Sequence, residues 1–117
     1  MEYDALLDAW EPYIVHGKRH PGVFIRGMQQ DDGKVLQARL EVGGYTNPHL
    51  HSGEERITIL EGEGECIIDG IRTSVTAGST TRIPPRTIHQ LRNSGNTPLL
   101  VSARFTPPFL QQETTLL

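Results

Sequence analysis

Hydrophobic and polar residues alternate with a period of two along most of this chain. Between residues 35 and 42, Leu36, Ala38, Leu40 and Val42 fall on one face, and Gln37, Arg39 and Glu41 on the other. That is the pattern of a strand with one buried side. Similar short runs occupy residues 23–28, 56–60, 65–68, 71–75, 80–83, 88–93 and 99–105, separated by Gly, Pro, Asn and Asp clusters. Asp32-Gly33 and Asp69-Gly70 mark hairpin turns, because Asp-Gly accepts the positive φ angles that such turns need. The N-terminus reads differently. Leu6, Leu7, Trp10 and Tyr13 recur at helical spacing, which predicts a short helix over residues 2–13 that Pro12 ends or bends. Residues 15–21, with His16, Lys18, Arg19 and His20, read as a surface loop. From Thr106 the tail carries Pro107-Pro108-Phe109 and then polar residues.

These elements predict one all-β domain over residues 1–117: a helix and loop (1–21), a closed or sandwich-like barrel (22–105) and a C-terminal tail (106–117). A length of 117 residues suits a single modest core. Only 6% of residues are aromatic, so that core is expected to be aliphatic. Such a small barrel with a pocket has little burial to spare, and Trp10, Tyr13 and the Pro-Pro-Phe tail need cover. A homodimer is therefore expected. The net charge is −3 with no basic block, which gives nucleic-acid binding no electrostatic support. The single cysteine, Cys66, cannot form an internal disulfide and suits a reducing compartment. The N-terminus is acidic without an apolar signal segment, and no run approaches a membrane span. A cytoplasmic protein without membrane contact is the expectation.

Chemistry concentrates in two glycine-framed segments. The first is Gly43-Gly44-Tyr45-Thr46-Asn47-Pro48-His49-Leu50-His51-Ser52-Gly53-Glu54-Glu55, closing at Gly62. In a strand His49 and His51 point to the same face, and Glu55 keeps their parity, although Ser52-Gly53 can interrupt the strand between them. The second runs from Gly78 through Pro84-Pro85-Arg86 to His89 and Asn93. There the two prolines stop ladder pairing just before His89. A local His-x-His pair needs a distant ligand to close a site, and His89 can supply it. Three imidazoles and a carboxylate form a donor set for a divalent transition metal.

Both segments resemble the two signature motifs of the cupin superfamily. The first of these is Gly, five residues, His-x-His, three or four residues, Glu, six residues, Gly. The second is Gly, five residues, Pro-x-Gly, two residues, His, three residues, Asn. Every position is met except that Arg86 stands where the family usually has glycine. The resemblance covers residues 43–93. It implies a double-stranded β-helix, or jelly roll, with His49, His51, Glu55 and His89 holding one divalent metal (Fe, Mn, Ni, Cu or Zn) in the mouth of the barrel. It also implies a metal-dependent enzyme acting on a small organic metabolite, with dioxygenase-type oxidation as the leading reading. The alternative is non-redox isomerase, lyase, dehydratase or cyclase chemistry with the metal as Lewis acid, as in polyketide cyclases. A non-catalytic small-molecule-binding cupin is the third reading.

Around that site, parity assigns Ile57 and Ile59 to the pocket wall beside Glu55, with Leu91, Val101, Ala103 and Phe105 as further wall residues. Arg26, Arg39 and Arg104 are candidates to bind a substrate carboxylate, each weighed against an exposed strand-face arginine. Tyr45 is a candidate proton donor at the rim. Cys66 reads as a buried strand residue and not as a nucleophile.

Overall fold

The computed structural model describes residues 9–30, 33–106 and 114–117. Their eleven strands are β1 (Glu11–Val15), β2 (Lys18–Gln30), β3 (Gly33–Leu40), β4 (His49–Leu50), β5 (Glu54–Glu61), β6 (Glu63–Ile68), β7 (Ile71–Thr76), β8 (Thr80–Ile83), β9 (His89–Arg92), β10 (Leu99–Thr106) and β11 (Thr115–Leu116). All pairings are antiparallel, in a six-stranded sheet of order β1-β2-β3-β10-β5-β8 and a five-stranded sheet of order β11-β4-β9-β6-β7. The architecture is a jelly roll. No described helix is long and apolar enough to cross a membrane.

The N-terminal segment corrects two expectations. Residues 1–8, which hold most of the predicted helix, lie outside the described residues. Residues 11–15, however, are strand and not helix: Tyr13 and Val15 are buried while Pro12 and Ile14 face out. The predicted loop after it is a hairpin, with Val15 opposite Lys18 across His16-Gly17. His16 and Gly17 have φ values of 52° and 77°, the pair of positive angles a two-residue type I′ turn requires. Pro12 is tolerated because β1 is an edge strand.

Inward-facing rows run straight across the larger sheet. Val23 lies opposite Leu40 and Ile25 opposite Ala38, while Ala38 meets Val101 and Val101 meets Ile59. The core between the sheets is aliphatic, built on Leu40, Ile59, Ile83, Leu99 and Val23 among others. Val42 does not continue the face of Leu36, Ala38 and Leu40. β3 ends at Leu40, and Val42 is 59% exposed beside a turn at Gly43. The Asp69-Gly70 hairpin forms as expected, with φ values of 50° and 80°.

Asn93 ties the barrel together. Its buried side-chain amide donates to the carbonyls of Leu40, Glu41 and Thr97, and its Oδ1 accepts from Gly95 N–H.

Candidate metal centre

The two sheets contribute different parts of one cluster. His49 on β4 and His89 on β9 are directly paired in the smaller sheet. Glu55 comes from β5 in the larger sheet, where it lies opposite Ile83 and Phe105. His51 sits on the three-residue crossing between β4 and β5. Its backbone is held there by Arg86 N–H, which donates to the His51 carbonyl at 2.8 Å. All four side chains are buried.

Backbone carbonyls set the state of each ring. Nδ1 of His49, His51 and His89 lies 2.7, 3.0 and 2.8 Å from the carbonyl oxygens of Asn47, Gly53 and Thr87. A carbonyl oxygen only accepts, so each Nδ1 carries the proton. Each ring is thereby left with Nε2 as its inward atom. Two of these Nε2 atoms, of His51 and His89, lie 3.0 and 3.1 Å from the same oxygen, Glu55 Oε1. The three histidines offer ligand nitrogens within 4.8 Å of one another. Neutral rings would turn lone pairs toward a carboxylate. The arrangement is satisfied only by extra protons on Nε2 or by a cation among the four groups. The donor set therefore fits a divalent metal.

Charge follows the same geometry. Burial alone would raise the Glu55 carboxyl, but hydrogen bonds from His51 and His89, and the charge on those rings, bring it down to about 2. Burial, followed by the neighbouring His89, pushes His49 down to about 4. Both shifts favour the metal-binding forms, carboxylate and neutral imidazole.

A cavity of about 50 Å³ adjoins the cluster. Of the expected wall, Ile57, Leu91, Val101, Ala103 and Phe105 line it. Ile59 faces the same way but lies deeper, in the packed core. Phe105 also stands edge-on to the His51 ring, at 5.4 Å. The opposite wall comes from Tyr13, Val23, Ile25, Leu36, Ala38 and Leu40, with Thr46 beside the histidines. Tyr13 went unrecognised because it was assigned to a helix. The alternation Tyr13, Val15 was the available signal.

Other candidates lie elsewhere. Arg26 and Arg39 stand over the Trp10 ring, at 4.3 and 5.1 Å, on the outer face of the larger sheet. Arg104 alternates with the cavity residues Ala103 and Phe105 and lines an outer hollow instead. Tyr45 is half-buried, bridged to Arg92 and absent from the cavity wall. Cys66 is buried, and burial followed by the charge of Glu55 raises its thiol to about 11, which leaves it inert as a nucleophile.

His20 corrects a surface assignment. It is fully buried, stacked on Tyr13 with centroids 4.3 Å apart and edge-on to His49 at 5.8 Å. Its Nδ1 accepts the backbone N–H of Asn47 at 2.7 Å, the residue whose carbonyl orients His49. In the neutral ring Nε2 then carries the proton, and that atom has no protein partner among the described residues. His16 is exposed as expected, with Nε2 at 2.6 Å from the Thr114 carbonyl.

Comparison with known proteins agrees with this architecture. The cupin domain family (Cupin_2) matches residues 36–103, more than half of the chain, and the protein belongs to that family. The uncharacterized protein MJ1618 of Methanocaldococcus jannaschii is 33% identical over 123 residues, covering 99% of this chain and 92% of that one. A cupin 2 conserved barrel domain protein from Rhodopseudomonas palustris superposes with a TM-score of 0.77 at 21% identity, over 92% of this chain and 76% of its own. An oxalate oxidase superposes at 0.69 with 20% identity, over 83% of this chain and 56% of that one. A predicted oxalate decarboxylase from Thermotoga maritima superposes at 0.65 with 22% identity, over 81% of each. At these identities the structural likeness establishes the fold.

Proposed function

We propose that this cupin is a metal-dependent enzyme that carries out oxygen-dependent oxidation of a small organic metabolite. His49, His51, Glu55 and His89 would hold the metal. The observation that carries the reading is the set of three Nδ1 atoms hydrogen-bonded to backbone carbonyls. It turns the other ring nitrogens inward, with Nε2 of His51 and His89 on one oxygen of Glu55 and a His49 ligand nitrogen within 4.8 Å of theirs. A redox-active ion bound there supplies Lewis acidity and dioxygen activation.

The chain's own residues supply the rest. Glu55 brings the negative charge that offsets a cation in a buried site. Ile57, Leu91, Val101 and Ala103 exclude water from the reacting side. Among the described lining residues, the cavity holds no lysine, no arginine and no carboxylate besides Glu55. The small cavity limits the substrate to a few heavy atoms. Oxalate, which the similar oxidase and decarboxylase are named for, has that size. A homodimer belongs to the same proposal, supported by exposed Ile71 and Ile88 near the β6–β7 turn.

The test is metal content by mass spectrometry on untagged protein, followed by oxygen uptake with small carboxylic and keto acids. Near-stoichiometric Fe, Mn, Ni or Cu is expected, with sharp loss in His49→Ala and Glu55→Ala. Unchanged metal in both variants would refute the ligand assignment. Turnover without oxygen would transfer the site to the Lewis-acid reading. Light scattering reads the oligomeric state.

A further inference from the structure

His20 is fully buried on β2 yet belongs neither to the donor set nor to the cavity wall. An apolar ring of similar size would pack on Tyr13 as well. What the imidazole adds is a polar edge, and burial makes each polar atom on it matter. The backbone N–H of Asn47 meets its Nδ1 at 2.7 Å. A backbone N–H only donates, so Nδ1 is the bare nitrogen and Nε2 carries the proton. That Nε2 is buried without a hydrogen-bond partner among the described residues. The ring thus leaves one donor unmet, while its other nitrogen holds Asn47.

Asn47 is held twice by the start of β2. Its backbone N–H goes to His20, and its side-chain Nδ2 donates to the Arg19 carbonyl at 3.1 Å. Its own carbonyl accepts the Nδ1 proton of His49 at 2.7 Å. One residue therefore joins β2, in the larger sheet, to a ligand on β4, in the smaller. The His20 ring is itself fixed. Tyr13 stacks on it with planes 15° apart, and the β1–β2 register shifts between Pro12 and Ile14, at Tyr13. Such irregularities re-aim a side chain, here into the barrel. Whatever sets the Asn47 carbonyl sets the ring which that carbonyl holds, and hydrogen-bond partners behind a ligand commonly govern metal affinity.

We propose that His20 is a positioning residue for the metal centre: by accepting the Asn47 N–H it fixes the carbonyl that orients His49. The inference rests on the reading of His49, His51, Glu55 and His89 as metal ligands. His20 acts through Asn47 and does not line the cavity.

Two substitutions separate this role from packing. His20→Phe keeps the stack on Tyr13 and removes the acceptor. His20→Asn loses the stack but keeps an acceptor, since its Oδ1 is attached to Cγ as Nδ1 is. The full-length, metal-free proteins are titrated with cobalt(II) against a competing chelator, and the visible absorption of bound cobalt is recorded. His20→Phe should weaken cobalt binding by about tenfold or more and shift the visible bands. His20→Asn should restore most of the affinity and the parent's bands, even where urea titration finds it less stable than His20→Phe. Proton NMR of the metal-free proteins follows the His49 Nδ1 proton directly. Slow exchange is expected in the parent and His20→Asn, and faster exchange in His20→Phe. Parent-like cobalt affinity in His20→Phe would overturn the proposal. So would losses in both variants that rank with their stability, because they would assign His20 to packing alone. A parent that binds no cobalt would sink the metal reading, and the His49 exchange rates would then decide the role of His20 by themselves.

Discussion

His49 and His89 stand opposite each other across the β4–β9 pair, with ring centroids 4.2 Å apart. Strand register alone brings these two rings together, since they are far apart in sequence. A slip of one residue in either strand would turn a ring to the outer face. Asn47 and Thr87 carbonyls fix the two rings from behind. The donor geometry is thus a property of the sheet and not of flexible side chains.

Metal should therefore act as a structural ligand as well as a chemical one. An ion bound only to the folded state at 100 times its dissociation constant adds about 2.7 kcal/mol. Chelation is expected to lower the melting temperature of the parent protein by several degrees. The same treatment should leave His49→Ala and Glu55→Gln almost unmoved, as differential scanning calorimetry with and without chelator will show.

Acid should destabilise the metal-free protein in a defined window. His20 and His49 titrate near 4 when folded, against 6.5 for an unperturbed ring, because burial disfavours their charged forms. Between these values unfolding takes up a proton at each ring. Their contribution is complete above pH 6.5 and is lost as the pH falls toward 4. Each group adds a slope of about 1.4 kcal/mol per pH unit. His20→Phe keeps the stack on Tyr13 and removes one titrating ring. At neutral pH it should cost about 1–2 kcal/mol for the orphaned Asn47 N–H. Its deficit should narrow toward pH 5 in urea titrations. Parallel stability curves for the two proteins would contradict this account.

Arg86 occupies the position where the family motif has glycine, and its φ of 53° shows why glycine is usual there. The left-handed conformation costs a side-chain-bearing residue about 1–2 kcal/mol. Arg86→Gly removes that strain but frees the unfolded chain by about 0.5–1 kcal/mol. Its stability is expected to equal or slightly exceed the parent's. Arg86→Val should lose about 1–2 kcal/mol more, because β-branching is worst tolerated at positive φ. Metal content in Arg86→Val tests whether the bond from Arg86 N–H to the His51 carbonyl positions that ligand.

Gly64 is required by close approach. A Cβ there would lie 2.3 Å from the Arg92 carbonyl oxygen, which is backbone and cannot yield cheaply. Gly64→Ala should destabilise the protein by about 2–3 kcal/mol through displacement of β6 from β9, read by chemical denaturation.

Much of the barrel was legible in the chain because its signals are local. The alternation of Leu36, Ala38 and Leu40, and the Asp69-Gly70 turn, depend on neighbouring residues and formed as expected. The first strand was misread for a physical reason: Trp10 and Tyr13 fit a helical spacing, while Tyr13 and Val15 equally fit a strand. A window that short holds both periods. The His16-Gly17 hairpin was missed because a non-glycine residue takes the first positive φ.

The sequence by itself determined the jelly-roll class and the identity of the candidate donors, since both rest on the spacing of His49, His51, Glu55 and His89 within the two glycine-framed motifs. Only the tertiary structure decided that His20 lies against His49 and that Tyr13 closes the cavity. It also decided that Arg104 joins Arg56 and Arg82 on the far side of the sheet. Those relationships depend on which distant strands pair and in which register. That is fixed by the packing of the whole barrel and is not carried by any local run of residues.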